Sequence, residues 1–161
     1  MPIWYESDPK RNVPIEEALE VWAAAAPEIL IRYGSTVGGY ATYTTFARDL
    51  FKATGLRTNR PLQKWPGQVL GMVLNYCQEN DLPALSSLVV NAMTGMCGVG
   101  FGYWHRKVGM EPVGEEAREE LAAILRTEVY QRYAGAPEDM EPFHTPIYLD
   151  WRDRGQWNES A

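Results

Sequence analysis

The chain has 161 residues, 45% of them hydrophobic and 22% charged, which fits one folded domain with its own core and excludes a disordered or collagen-like chain. Its formal net charge is −6, and the charge is uneven: residues 40–109 hold seven basic and three acidic residues, +4, against −10 for the remainder. A basic middle between acidic flanks points to a locally positive face.

The N-terminus has no basic, then apolar, targeting pattern, and the most apolar stretch, Trp22 to Ile31, is too short to span a bilayer. The sequence therefore predicts a cytoplasmic protein with no membrane partner. Pro14 to Ala25 reads as a helix, with Pro14 in the first turn, Glu16 and Glu17 at the positive end of the dipole, and Ile15, Leu19 and Trp22 at helical spacing. Pro27 is expected to break it, leaving a second short helix, Glu28 to Tyr33, that stops at Gly34. Thr42 to Thr54 is the next helix, capped by Thr42 or Thr44 and closed by Gly55. Leu56 to Pro61 reads as a polar, basic turn. A third helix runs from Lys64 or Pro66 to Asn80. Val69, Leu70, Val73, Leu74 and Cys77 form its apolar stripe, with Gln68, Gly71, Met72, Asn75 and Gln78 on the other side.

The period then changes. Leu85 to Asn91 reads as a strand, Ala92 to Gly100 as a hairpin connection and Phe101 to Val108 as the return strand. Gly114 to Tyr133 is a long amphipathic helix, acidic in its first turn. Residues 135–161, with three prolines, read as an irregular strap. The predicted fold class is α+β and mainly helical. It is one domain, residues 1–161, with N-terminal helices at 14–34, a winged helix-turn-helix core at 42–108, a C-terminal helix at 114–134 and a tail.

In a winged helix-turn-helix, the second helix of the pair enters the DNA major groove and its first residues reach base edges, while the wing meets phosphates. The candidate nucleic-acid-binding residues are Arg57, Arg60, Lys64, Trp65 and Gln68 around the helix start, with Arg106 and Lys107 on the wing.

Four segments in this region share an order with a known family. Thr42-Tyr43-Thr44-Thr45-Phe46-Ala47 looks like a T-Y-G-E-L-A helix start, and Gln68-Val69-Leu70-Gly71-Met72-Val73-Leu74 looks like an R-A-V-G-x-A-L recognition helix. Asn80-Asp81-Leu82-Pro83 is similar to an N-P-x-P turn, and Gly98-Val99-Gly100-Phe101 to a later G-G-F/Y element. Together, residues 42–101 resemble the C-terminal DNA-binding domain of O6-alkylguanine-DNA alkyltransferases and alkyltransferase-like proteins. The resemblance implies a duplex-binding scaffold. It does not imply the family's reaction, because the P-C-H-R-V nucleophile segment falls on Leu85-Ser86-Ser87-Leu88-Val89, without cysteine or histidine. A serine without a base lacks the nucleophilicity of an activated thiolate. The family's base-flipping arginine falls on Gln68, which keeps hydrogen bonding but not charge.

Other chemistry is thin. Cys77 and Cys97 lack metal-ligand spacing, His105 and His144 stand alone, and Glu115, Glu116, Glu119 and Glu120 read as a solvated helix face. No catalytic residue, metal or cofactor is expected. The sequence predicts a non-enzymatic nucleic-acid-binding protein whose partner is double-stranded DNA. The alternative is an acidic protein-binding module or inhibitor, of a phage or mobile-element accessory type, that engages a basic, nucleic-acid-handling protein partner.

Overall fold

A computed structural model describes residues 1–98 and 114–155. The elements in order are β1 (Ile3–Tyr5), α1 (Ile15–Gly34), β2 (Ala41–Thr42), α2 (Tyr43–Thr54), β3 (Leu56–Thr58) and α3 (Pro66–Glu79). A 3-10 helix (Leu85–Leu88), β4 (Val89–Val90), α4 (Gly114–Tyr133) and α5 (Pro146–Asp153) follow. The described chain is thus α+β and mainly helical, with two small two-stranded sheets. In one, β1 runs antiparallel to β3; in the other, β2 runs parallel to β4.

The three helices with the clearest periodicity form as expected. Thr42 caps α2 by accepting from the Thr45 amide, and Gly55 ends it in the left-handed region at φ 68°. On α3 the predicted stripe of Val69, Leu70, Val73, Leu74 and Cys77 is buried.

Other expectations change. Pro27 does not break the first helix, and α1 runs through it. Proline removes one backbone donor, but Ala18, Trp22, Ala26, Ile29 and Leu30 keep one buried stripe in register on both sides of it. The expected turn after α2 opens as β3, because the N-terminal residues Ile3–Tyr5 lie beside it and pair with it. The segment expected as a strand from Leu85 begins as the 3-10 helix. Ser87 Oγ donates to the Ala84 carbonyl at 2.7 Å, which ties the backbone into a tight turn. Only Val89–Val90 is extended, and its partner is β2. The expected return strand, Phe101 to Val108, lies outside the described residues. The tail is not wholly irregular: Thr145 accepts from the Tyr148 amide and starts α5, with Pro146 in its first turn.

The core centres on Trp22. Its ring lies against Trp65 (4.3 Å between centroids) and Phe51 (6.2 Å), and its Nε1 donates to the Leu56 carbonyl at 3.1 Å. α1 packs against α2, α3, the 3-10 helix and α4. Close approach to α4 depends on Gly34, where an added Cβ would sit 2.5 Å from Val129 Cγ1. No described helix is long and apolar enough to cross a membrane.

Candidate functional site: a groove along α3

Pro66 occupies the first turn of α3, and Trp65 before it offers no side-chain cap. One side of α3 enters the core. The other leaves Gly67, Gln68, Gly71, Met72 and Asn75 exposed. These residues line a groove of about 1140 Å³. Leu62, Gln63 and Lys64 line it from the loop before α3, and Tyr43 and Thr44 from the start of α2. Ser86, Val89 and the loop carrying Asn91, Met93, Cys97 and Gly98 form the facing wall. Among the described residues, no aspartate or glutamate lines this groove, and Lys64 is the one charged lining residue. The local balance is therefore positive, against the negative sign of the whole chain. Lys64 carries no ion pair among the described residues, and neither does Arg48, one turn along α2 from Thr44.

Ser86 Oγ is buried and, among the described residues, has no hydrogen-bond partner. Burial pushes the Cys97 thiol up. The nearby Arg126 guanidinium, whose Nη2 lies 3.5 Å from Sγ, only partly offsets this. Tyr43 accepts from the Gly98 amide at 2.9 Å, and burial pushes its hydroxyl up to about 12. All three are neutral near neutral pH, so the groove offers hydrogen bonds, one ammonium and apolar contact.

Lys64 and Gln68, both predicted from sequence, come together on this groove. Of the other predicted residues, Arg57, Arg60 and Trp65 do not join them. Arg57 pairs with Glu6 at 2.6 Å and lies over the Phe51 ring at 5.6 Å. Arg60 donates through Nε to the Met1 carbonyl at 3.0 Å. Both are thus engaged with the β1–β3 ribbon. Trp65 is corrected outright: it is 1% exposed and packs on Trp22 and Phe51, so it is a core residue and cannot reach a base edge. Arg106 and Lys107 lie outside the described residues. Sequence reasoning missed Tyr43, Ser86 and Asn91. They come from three separate segments, and only the fold brings them to one wall.

A second polar cluster lies behind the loop. Glu119, expected on a solvated face, has a fully buried side chain and holds Arg126 by two bonds, 2.9 and 3.1 Å. Arg126 also donates to the carbonyls of Ser87 (2.7 Å) and Phe143 (3.1 Å). His144 Nδ1 lies 2.6 Å from Glu119 Oε2, and its Nε2 lies 3.4 Å from Glu120. Such a fork of charge-assisted bonds fixes geometry as well as compensating buried charge. Among the described residues, no group of three or more His, Cys, Asp and Glu side chains could hold a metal ion. Comparison of the chain with protein-family models, with curated proteins and with solved structures finds no match.

Proposed function

We propose that this protein is a non-enzymatic nucleic-acid-binding protein that presents the exposed, N-terminal half of α3 to duplex DNA. The observation that carries the reading is the groove beside that helix face, which no acidic side chain lines among the described residues, with Lys64 at its rim in a chain of net charge −6. Dense phosphate charge selects for surfaces cleared of carboxylates and supplied with ammonium groups. Gln68 and Asn75 are exposed amides on the same face and have the donor–acceptor pair that reads an adenine edge. Gly67 and Gly71 have open space where a side chain would stand, so a partner's backbone can come close to the helix. The order α1, β2, α2, β3, α3, β4, with β2 parallel to β4 and both α2 and α3 packed on α1, is the support for a winged-helix reading of the scaffold. It is also compatible with an alkyltransferase-like relationship that lacks the transfer reaction, since Ser86 and Ser87 stand where the nucleophile segment falls.

A mobility-shift titration at two salt concentrations tests the proposal. Lys64→Ala should weaken binding to all duplexes alike and flatten the salt slope by about one unit, while Gln68→Ala should change base preference. If the wild type shifts no duplex even at low salt, the proposal fails. The protein-binding reading then takes its place. It is favoured by one observation: Leu62, Met72 and Met93 are exposed along the same groove and give it a flexible apolar rim.

A further inference from the structure

The loop from Asn91 to Gly98 has two sides. Its front lines the groove through Asn91, Met93, Cys97 and Gly98. Its back is held by the C-terminal strap. Thr145 is fully buried and makes two bonds at once: its Oγ1 donates to the Gly95 carbonyl at 3.0 Å and accepts from the Tyr148 amide, starting α5. The fit is close, because a side chain at Gly95 would run into Tyr148 N and Thr145 Oγ1. The second tie is Arg126, whose Nη2 reaches Cys97 Sγ while Nη1 reaches the Phe143 carbonyl. The carboxylate that orients Arg126, Glu119, is in turn bonded to His144 of the strap. Phe143 completes the anchorage by donating its amide to Thr127 Oγ1 at 3.2 Å. Three consecutive strap residues, 143–145, thus reach the back of the loop, Thr145 at Gly95 directly, Phe143 through Arg126 and His144 through Glu119.

We infer that the strap is a latch for the groove. Docking of residues 143–148 against α4 holds the loop from Asn91 to Gly98 closed against α2 and α3, and release of the latch opens that wall without unfolding the core. The physical basis is the distribution of contacts. The loop's own bonds are short-range, Asn91 to Met96 and Gly95 to Asn91, with a tie to α2 through Tyr43 and one from Cys97 Sγ to the Ser87 carbonyl of the 3-10 helix among the described residues. It buries little apolar surface of its own, and segments of that kind open locally at a fraction of the global stability. The strap supplies what the loop lacks. Thr145 and His144 are therefore positioning residues, acting on the groove through Gly95 and Arg126.

Thiol alkylation tests this, and the test does not depend on any nucleic-acid affinity. Cys97 lies on the moving wall, while Cys77 is buried in the core on α3 and reports global opening. Wild type, Thr145→Val, Thr145→Ser and His144→Ala are treated with iodoacetamide under native conditions, and each cysteine is followed by peptide mass spectrometry. Thr145→Val and His144→Ala should each speed Cys97 alkylation by about tenfold and leave Cys77 unchanged, as local opening requires. Thr145→Ser, which keeps the hydroxyl, should react like the wild type. A Cys97 rate within twofold of wild type in both disruptive variants overturns the inference. So does equal acceleration at both cysteines, which would mean that the strap only stabilises the whole fold.

Discussion

Arg126 is enclosed completely, and its guanidinium is shared among a carboxylate, two carbonyls and a sulfur. Removing the cation alone strands the Glu119 charge in the interior. Arg126→Met should cost about 3–5 kcal/mol in urea denaturation, and adding Glu119→Leu should recover much of the loss. Tyr43 gives a pH signature. Its hydroxyl is pushed up to about 12 from 10.0 in the folded chain. Below pH 10 both states hold the proton, so the stability associated with this group is fully present there. Between about 10 and 12 only the folded state holds it, and stability falls as pH rises. Tyr43→Phe should lose the hydroxyl's bond to Gly98 but flatten that alkaline decline, by about 1.4 kcal/mol per pH unit for the one proton removed. Thermal melts across pH 9–12 measure both effects. The sequence allowed part of this scale to be read. Glu119 and Arg126 stand seven residues apart, two turns along one helix face, so their pairing was within reach. Arg57 and Arg60 were not. Their partners, Glu6 and Met1, lie 51 and 59 positions away, and nothing local announces them. Trp65 sits between exposed Lys64 and buried Pro66, and only its contact with Trp22 decides its side.

Among elements, α2, α3 and α4 were legible because each is long enough to repeat an apolar stripe over several turns. The strands were legible only in part: β4 lies inside the stretch that reads as a strand, but β2 and β4 have two residues each and β1 and β3 three, too few to alternate visibly. The 3-10 helix was hidden for a different reason. All four of its residues are buried, so its sequence is a continuous run without a period. α5 was signalled by Thr145-Pro146, a cap followed by a first-turn proline, but the surrounding prolines masked it. The persistence of α1 through Pro27 yields a prediction about that element. Proline costs up to about 3 kcal/mol relative to alanine in a helix interior, partly offset by the lower entropy of the unfolded chain. Pro27→Ala should therefore raise stability by about 1–2 kcal/mol, seen as a higher urea midpoint at unchanged slope. A lower midpoint would show that the α1 stripe depends on a bend at that residue.

At the scale of the molecule, electrostatics runs against the proposed partner, and the groove is a local exception. The exposed face of α1 carries Glu16, Glu20 and Glu28, and their field reaches a duplex through solvent, where salt screens it. Glu20→Gln combined with Glu28→Gln should strengthen duplex binding by about two- to fivefold at low salt and hardly at all near 0.5 M. Fluorescence anisotropy at three ionic strengths would detect it. An equal gain at every salt concentration would instead place these glutamates in direct contact with the partner.

The closeness of Gly34 to Val129 also bears on how the chain is made. The surface of α1 that α4 covers leaves the ribosome 95 residues before Val129 does. At about 5–20 residues per second, that surface waits some 5–20 seconds for its cover. Once α2 and α3 have emerged, the nascent chain can hold them with α1 around Trp22, yet Gly34 stays uncovered until α4 follows. The late helix α4 is thus the one that ends the exposure, and a chain stalled or cut before it would present an apolar seam to chaperones and proteases rather than a smaller finished protein.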